Sequence, residues 1–279
     1  MTIEIVSEQR CFGGRIGFYA HQSRVTGTRM RFGVFVPSQA DRSTVPALYY
    51  LAGLTCTEET FMLKAGAQRG AAALGLMLVT CDTSPRGLGL AGEKDDWDFG
   101  EGAGFYLDAT VEPWARHYRM SHYVNRELPA LIEAEFPARP GRRGIFGHSM
   151  GGHGALVSAL RHPEDWASVS AFAPICNPAS VPWGEKAFGN YLGPDRTVWN
   201  QWDASALMRE RPYPGPILVD QGTADAFLAP QLHPEQLEQA AAASGQALTL
   251  RRQRDYDHSY WFIQSFVADH LEHHARQLG

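Results

Sequence analysis

Cysteine is scarce. The 279 residues hold four, at positions 11, 56, 81 and 176, and no two form a C-x-x-C pair. That is too few for a disulfide framework and the wrong spacing for a zinc site, so no metal is expected. Free thiols in a cytoplasmic protein are the simplest expectation. Long apolar runs are also missing. The longest, 47–54 and 71–79, fall far short of the ~20 residues that cross a bilayer, so no membrane contact is expected. No Lys/Arg run occurs, and 25 basic against 30 acidic residues leave a net charge of −5. That balance argues against a nucleic-acid partner. The first ten residues alternate polar and apolar, without the basic-then-apolar layout of a secretion leader. Neither a repeat nor a Pro/Gly/Ser-rich linker divides the chain, so residues 1–279 read as one domain. What is present is an ordinary globular mix, 44% hydrophobic and 20% charged. That is enough apolar material for a large core, and it excludes a disordered chain.

Alternation marks strands at 15–21 and 31–36, and 47–51 is a short, fully apolar strand. Residues 58–74, acidic at the start and rich in alanine, read as one helix. Residues 76–81 form a buried strand by composition. A long loop follows at 82–104, where 7 of 23 residues are Gly or Pro. Such a loop is as a rule functional or disordered, and Trp97 and Phe99 argue against disorder. Beyond it come a helix at 121–136, a strand at 143–146, a helix at 150–161 and strands at 169–172 and 217–220. A helix at 233–243, a strand at 247–251 and a closing helix at 260–276 complete the pattern. This alternation predicts an α/β fold with a mostly parallel central sheet, helices on both faces and an antiparallel N-terminal edge.

The leading motif is Gly147-His148-Ser149-Met150-Gly151, a G-x-S-x-G pentapeptide. Alone it is weak. Its setting strengthens it, because it leaves a predicted strand and opens a predicted helix, as a nucleophile elbow requires. A serine on so tight a turn needs small neighbours, which Gly147, Gly151 and Gly152 supply. The other reading is a Gly-rich turn carrying a solvated serine. A nucleophilic serine also needs a base and an orienting acid, in chain order Ser, Asp/Glu, His for a hydrolase built this way. Asp225 lies in the loop after the 217–220 strand. Asp220 is the runner-up, but it ends the strand. His258 sits in the loop before the closing helix, while the competing His233 comes one strand too early. The oxyanion hole would use the N–H of Met150 and, from the loop after the 47–51 strand, the N–H of Leu54.

Other signals are weaker. Gly87-Leu88-Gly89-Leu90-Ala91-Gly92 matches GxGxxG literally, but it runs into charged residues in place of a helix, so a dinucleotide site is not expected. His270, His273 and His274 share a helix face, for which solvation is a better expectation than metal binding. Cys56 is read either as an inert buried thiol or as a thiol lining the site and open to alkylation.

Longer segments carry a resemblance. They are Leu51-Ala52-Gly53-Leu54-Thr55-Cys56-Thr57-Glu58, Asp96-Trp97-Asp98-Phe99-Gly100, Gly102-Ala103-Gly104-Phe105-Tyr106 and Gly147 to Gly154. Further on come Phe172-Ala173-Pro174-Ile175-Cys176-Asn177-Pro178, Pro182-Trp183-Gly184, Gly222-Thr223-Ala224-Asp225 and Tyr256-Asp257-His258-Ser259-Tyr260. Together they run through most of the chain, which resembles the S-formylglutathione hydrolases, the esterase D family of the α/β-hydrolase fold. Ala52, where many relatives carry serine, is a minor departure. The resemblance implies hydrolysis of S-formylglutathione to glutathione and formate, a step of formaldehyde detoxification, by a cytoplasmic, cofactor-free and often dimeric enzyme. A broad small-acyl carboxylesterase is the alternative. A non-catalytic binding module or an acyltransferase would need a missing triad member or an acceptor alcohol. Glutathione carries two carboxylates and an amine. Lys64, Arg86 and Lys186 are the expected carboxylate receivers, and Cys56, Trp97 and Trp183 the expected remaining substrate contacts.

Overall fold

The computed structural model describes residues 2–279. Nine strands join in one sheet, in the order β1-β2-β3-β5-β4-β6-β7-β8-β9. They are β1 (Ile3–Cys11), β2 (Gly14–Gln22), β3 (Arg29–Val36), β4 (Val45–Leu51), β5 (Met77–Cys81), β6 (Ala138–His148), β7 (Ser168–Phe172), β8 (Ile217–Gly222) and β9 (Leu248–Gln253). The first three pair antiparallel, and β3 joins β5 antiparallel. Every later pairing is parallel. The expected mostly parallel sheet with an antiparallel N-terminal edge is therefore present. β4, β5, β7 and β8 are buried along their whole length, as parallel strands covered on both faces must be.

The helices are α1 (Glu58–Lys64), α2 (Gln68–Leu74), α3 (Met120–His122), α4 (Leu128–Glu135), α5 (Met150–Arg161), α6 (Pro182–Tyr191), α7 (Arg196–Trp199), α8 (Ala204–Glu210), α9 (Pro234–Ser244) and α10 (Tyr260–Leu278). α10 packs on β6, β7 and β8 and against α2, while α5 packs on β4, β6 and β7 and against α8. The single helix expected over 58–74 is two. Gly66 adopts φ +65° between them, a left-handed conformation that interrupts the α-helical ladder. The helix expected over 121–136 runs from α3 through a π-helical segment, Tyr123–Glu127, into α4.

The histidines of α10 depart from expectation. His270, His273 and His274 are all buried. The Asp220 carboxylate, held by Arg251 Nε at 2.7 Å, can only accept, so His270 Nε2–H donates to it at 3.1 Å. That leaves His270 Nδ1 to accept from the Ser170 hydroxyl at 2.8 Å. Ser170 Oγ in turn accepts from His274 Nε2–H at 2.8 Å, and His274 Nδ1 accepts from Ser168 at 2.6 Å. His273 donates to the Val169 carbonyl at 3.0 Å. The expected solvated face is thus a continuous hydrogen-bonded seam between α10 and β7. Its members are satisfied, which is the condition for burying polar groups.

The loop after β5 is ordered by packing. Phe99 stacks on Tyr191 of α6 with centroids 4.8 Å apart, and Gly100 N–H donates to the Tyr191 hydroxyl at 3.0 Å. In its glycine-rich stretch, Gly89 N–H is taken by Glu93 Oε2 at 2.8 Å. No helix among the described residues is long and apolar enough to cross a membrane.

Candidate active site

β6 ends at His148 and α5 begins at Met150, so one residue, Ser149, makes the whole turn. Its backbone sits at φ 59°, ψ −121°, a strained conformation for a residue with a Cβ. The surroundings enforce it. A side chain on Gly147 would begin 2.3 Å from the Gly151 carbonyl oxygen, and one on Gly152 would begin 3.0 Å from Pro174. Ser149 N–H donates to the Phe172 carbonyl at 3.0 Å, fastening the turn to the end of β7. The serine is 3% exposed, at the floor of a pocket of about 240 Å³.

Asp225 and His258 arrive from two further strand ends. Asp225 lies three residues past β8, and its carboxylate accepts from three donors. These are Phe227 N–H at 2.8 Å, Gln221 Nε2 at 3.2 Å and His258 Nδ1–H at 2.6 Å. An ionised carboxylate accepts only, so the proton of that last bond is on Nδ1 and the lone pair of the resting imidazole is on Nε2. His258 and Ser149 line the same pocket. No hydrogen bond joins their side chains among the described residues, a common state of such pairs without substrate.

Gly53 and Leu54 form the opposite wall. The N–H groups of Thr55 and Cys56 are taken, by Gly102 O at 2.9 Å and Gly53 O at 3.3 Å. The Leu54 N–H has no acceptor among the described residues. Met150 is the first residue of α5, where the backbone N–H has no partner within the helix. Leu54 lines the pocket and Met150 directly follows Ser149, so these two N–H groups are the candidate donors for a developing negative charge. Gly53 also keeps the pocket open, because a side chain there would begin 3.2 Å from Ser149 Cβ.

Aromatic rings complete the wall. Trp97 meets Trp183 edge to face at 5.6 Å, Trp183 meets Phe227 at 4.7 Å, and Phe227 meets His258 at 5.0 Å. His148 also lies against His258, centroids 4.3 Å apart. Burial drives the His148 pKa well below the ordinary histidine range, so this ring is neutral. Cys56 also lines the pocket, and burial raises its thiol pKa.

Ser149, His258, Leu54, Cys56, Lys64, Trp97 and Trp183 thus line one pocket, with Asp225 behind His258 and Met150 next to Ser149. The structure does not bring Arg86 or Lys186 there. Arg86 is clamped by Asp82 at 2.7 and 2.8 Å, and Lys186 by Asp98 at 2.6 Å and Asp96 at 2.8 Å. Both charges are spent on neighbouring carboxylates, and neither residue lines the pocket. The competitors fall elsewhere. Asp220 belongs to the seam under β7, and His233 pairs with Glu235 at 2.7 Å. Thr60, His148, Phe227 and Tyr260 also line the pocket and were not among the expected site residues. Phe227 and Tyr260 each stand two positions beyond a triad candidate, which was the available signal.

The chain is similar to known proteins along its length. A family model described as "Putative esterase" matches residues 23–273. S-formylglutathione hydrolase of Paracoccus denitrificans is 53% identical over 279 residues, covering 100% of this chain and 99% of that one. S-formylglutathione hydrolase of Rattus norvegicus is 49% identical over 283 residues, with 100% of both chains covered. The solved S-formylglutathione hydrolase of Agrobacterium tumefaciens superposes with a TM-score of 0.96 at 48% identity, over 99% of each chain. A ferulic acid esterase at 18% identity and a TM-score of 0.73 shares the fold.

Proposed function

The chain belongs to the S-formylglutathione hydrolase family of esterases, and from that premise we infer that it hydrolyses S-formylglutathione to glutathione and formate through Ser149, His258 and Asp225. In this reading Ser149 Oγ attacks the formyl carbon while His258 Nε2 takes its proton. Asp225 holds Nδ1–H and stabilises the imidazolium. The carbonyl oxygen becomes an oxyanion and is met by the N–H groups of Leu54 and Met150. Collapse breaks the C–S bond, releases the glutathione thiolate and leaves a formyl ester on Ser149. A thiolate leaves readily, so acylation asks little of the acid form of His258; the proton that His258 holds then passes to the departing glutathione sulfur, which leaves the site as the thiol and restores the neutral imidazole. Water then attacks the ester with His258 as base. Formate departs, and the proton returns to Ser149.

One observation carries the assignment of roles: the 2.6 Å bond from His258 Nδ1 to Asp225, at a pocket whose floor is the strained Ser149. The bare Gly53 leaves room beside Ser149 for a small acyl group, which a side chain there would crowd. We read residues 1–279 as one domain, supported by the single nine-stranded sheet. Four free cysteines support a cytoplasmic location.

The test is kcat/KM for S-formylglutathione against a p-nitrophenyl ester of a small acid, with Ser149→Ala as control. Preference for the thioester and loss of both activities in the variant are expected. A clear preference for the simple ester would instead make the chain a general small-acyl carboxylesterase. Hydrolysis retained by Ser149→Ala would remove the nucleophile assignment.

A further inference from the structure

The pocket takes the reacting end of the substrate, but its size leaves the rest unaccounted for. Sites for drug-sized ligands run about 300–1,000 Å³, and this pocket holds about 240 Å³. A tripeptide thioester must extend beyond it. A groove of about 660 Å³ opens alongside, between the last turn of α1 and the first turn of α10. The two spaces share Lys64 and Tyr260 as common wall.

Charge distinguishes this groove. The chain is acidic, and glutathione has two carboxylates against one amine, so a local cation is needed to hold it. Arg86 and Lys186 are already neutralised by carboxylates. Lys64 makes no ion pair among the described residues; its ammonium lies 5.9 Å from the Tyr260 ring centroid, at the junction of the two spaces. Around it stand side chains that the core does not require. Leu63 is 68% exposed and Trp261 is 76% exposed. Exposed large apolar groups beside an unpaired cation and the amide of Gln264 suit a peptide with a terminal carboxylate.

We propose that this groove is the subsite for the peptide arm of the thioester, with Lys64 receiving one glutathione carboxylate and Trp261 covering the peptide. The proposal rests on the reaction inferred above and names where that substrate's non-reacting part is held. The subsite adjoins the space that holds the base, because Lys64 and Tyr260 wall both the groove and the pocket lined by His258. Binding along the groove therefore anchors the arm beside the imidazole that works on the thioester.

Wild type, Lys64→Ala, Lys64→Arg and Trp261→Ala are compared on S-formylglutathione and on p-nitrophenyl acetate, which has no carboxylate. For Lys64→Ala the ratio of kcat/KM for the thioester to that for the ester falls about three- to fivefold, as for a partly exposed ion pair. The fall resides in KM, shrinks in high salt, and is recovered in Lys64→Arg. Inhibition by free glutathione weakens in parallel. Trp261→Ala lowers the same ratio. An unchanged ratio in Lys64→Ala, with wild type still preferring the thioester, overturns the groove and leaves the reaction standing. A wild type that prefers the ester overturns the reaction itself. If Trp261→Ala changes the oligomeric state on size exclusion and leaves KM alone, the surface belongs to a second copy and the proposal fails.

Discussion

A side chain on Gly151 would begin 2.0 Å from the carbonyl oxygen of Leu51. The first turn of α5 thus lies directly on the end of β4, and the fit depends on a missing methyl group. In an exposed helix, Gly→Ala gains about 1 kcal/mol. At 151 the sign reverses, because the added carbon meets backbone that cannot turn aside. Gly151→Ala should cost about 3 kcal/mol or more and abolish hydrolysis. Gly189 in α6, where a side chain would first meet an atom at 3.9 Å, is the matched control: Gly189→Ala should be neutral or slightly stabilising. Urea unfolding of the two variants checks both signs.

The Asp225–His258 bond makes a sharper prediction. Asparagine at 225 keeps the volume but can turn an NH2 toward Nδ1. His258 would then carry its proton on Nε2 and lose the lone pair that takes the proton of Ser149. Asp225→Asn should lower kcat about 10³–10⁴-fold, the scale seen when a triad acid is amidated. The melting temperature should fall far less than for Gly151→Ala. Single-turnover kinetics with a thermal melt on the same sample separates the two effects.

Acid should unfold this protein through its histidines. Burial pushes His153 and His273 down to about 4, and His274 well below the ordinary range. Between about 6.5 and 4 the unfolded chain binds protons that the folded chain refuses. Stability is therefore full above about pH 6.5 and is lost as pH falls. His153 and His273 alone each remove up to about 1.4 kcal/mol per pH unit, or roughly 3 kcal/mol together between pH 6.5 and 5. Asp220 acts in a lower window. Arg251 and His270 hold its pKa at about 2, outweighing its burial, so its contribution is present above about 4 and lost only below that. Urea midpoints from pH 8 to 4 test this: an uptake of fewer than two protons on unfolding near pH 5 would contradict it.

What could be read from the sequence followed from how local the signal was. Helix 150–161 and the strand before it are set by neighbouring residues, and α5 spans Met150–Arg161. Chain order, with placement in the loop after a late strand and in the loop before the closing helix, singled out Asp225 and His258, which are hydrogen-bonded to each other. The break between α1 and α2 was hidden because Gly66 sits among good helix formers. Between the strands at 169–172 and 217–220 no element was expected; α6, α7 and α8 lie there, with Trp183 of α6 and Trp199 of α7 buried. Long-range partners were invisible. His270 and His274 are buried because Ser170 and Ser168, about a hundred positions earlier, complete them. The charge of Lys186 is cancelled by Asp98, in a loop 88 positions away.

The φ of 59° at Ser149 has a meaning for anyone who would make this protein more robust. A search scoring each position by backbone ease would rank glycine above serine at 149, and substitution there should relax the elbow. The hydroxyl sits where the chain is least comfortable, so thermal hardening and turnover pull this one position in opposite directions. Gains in durability must be sought at helix ends and on the outer surface, with the elbow left as it is.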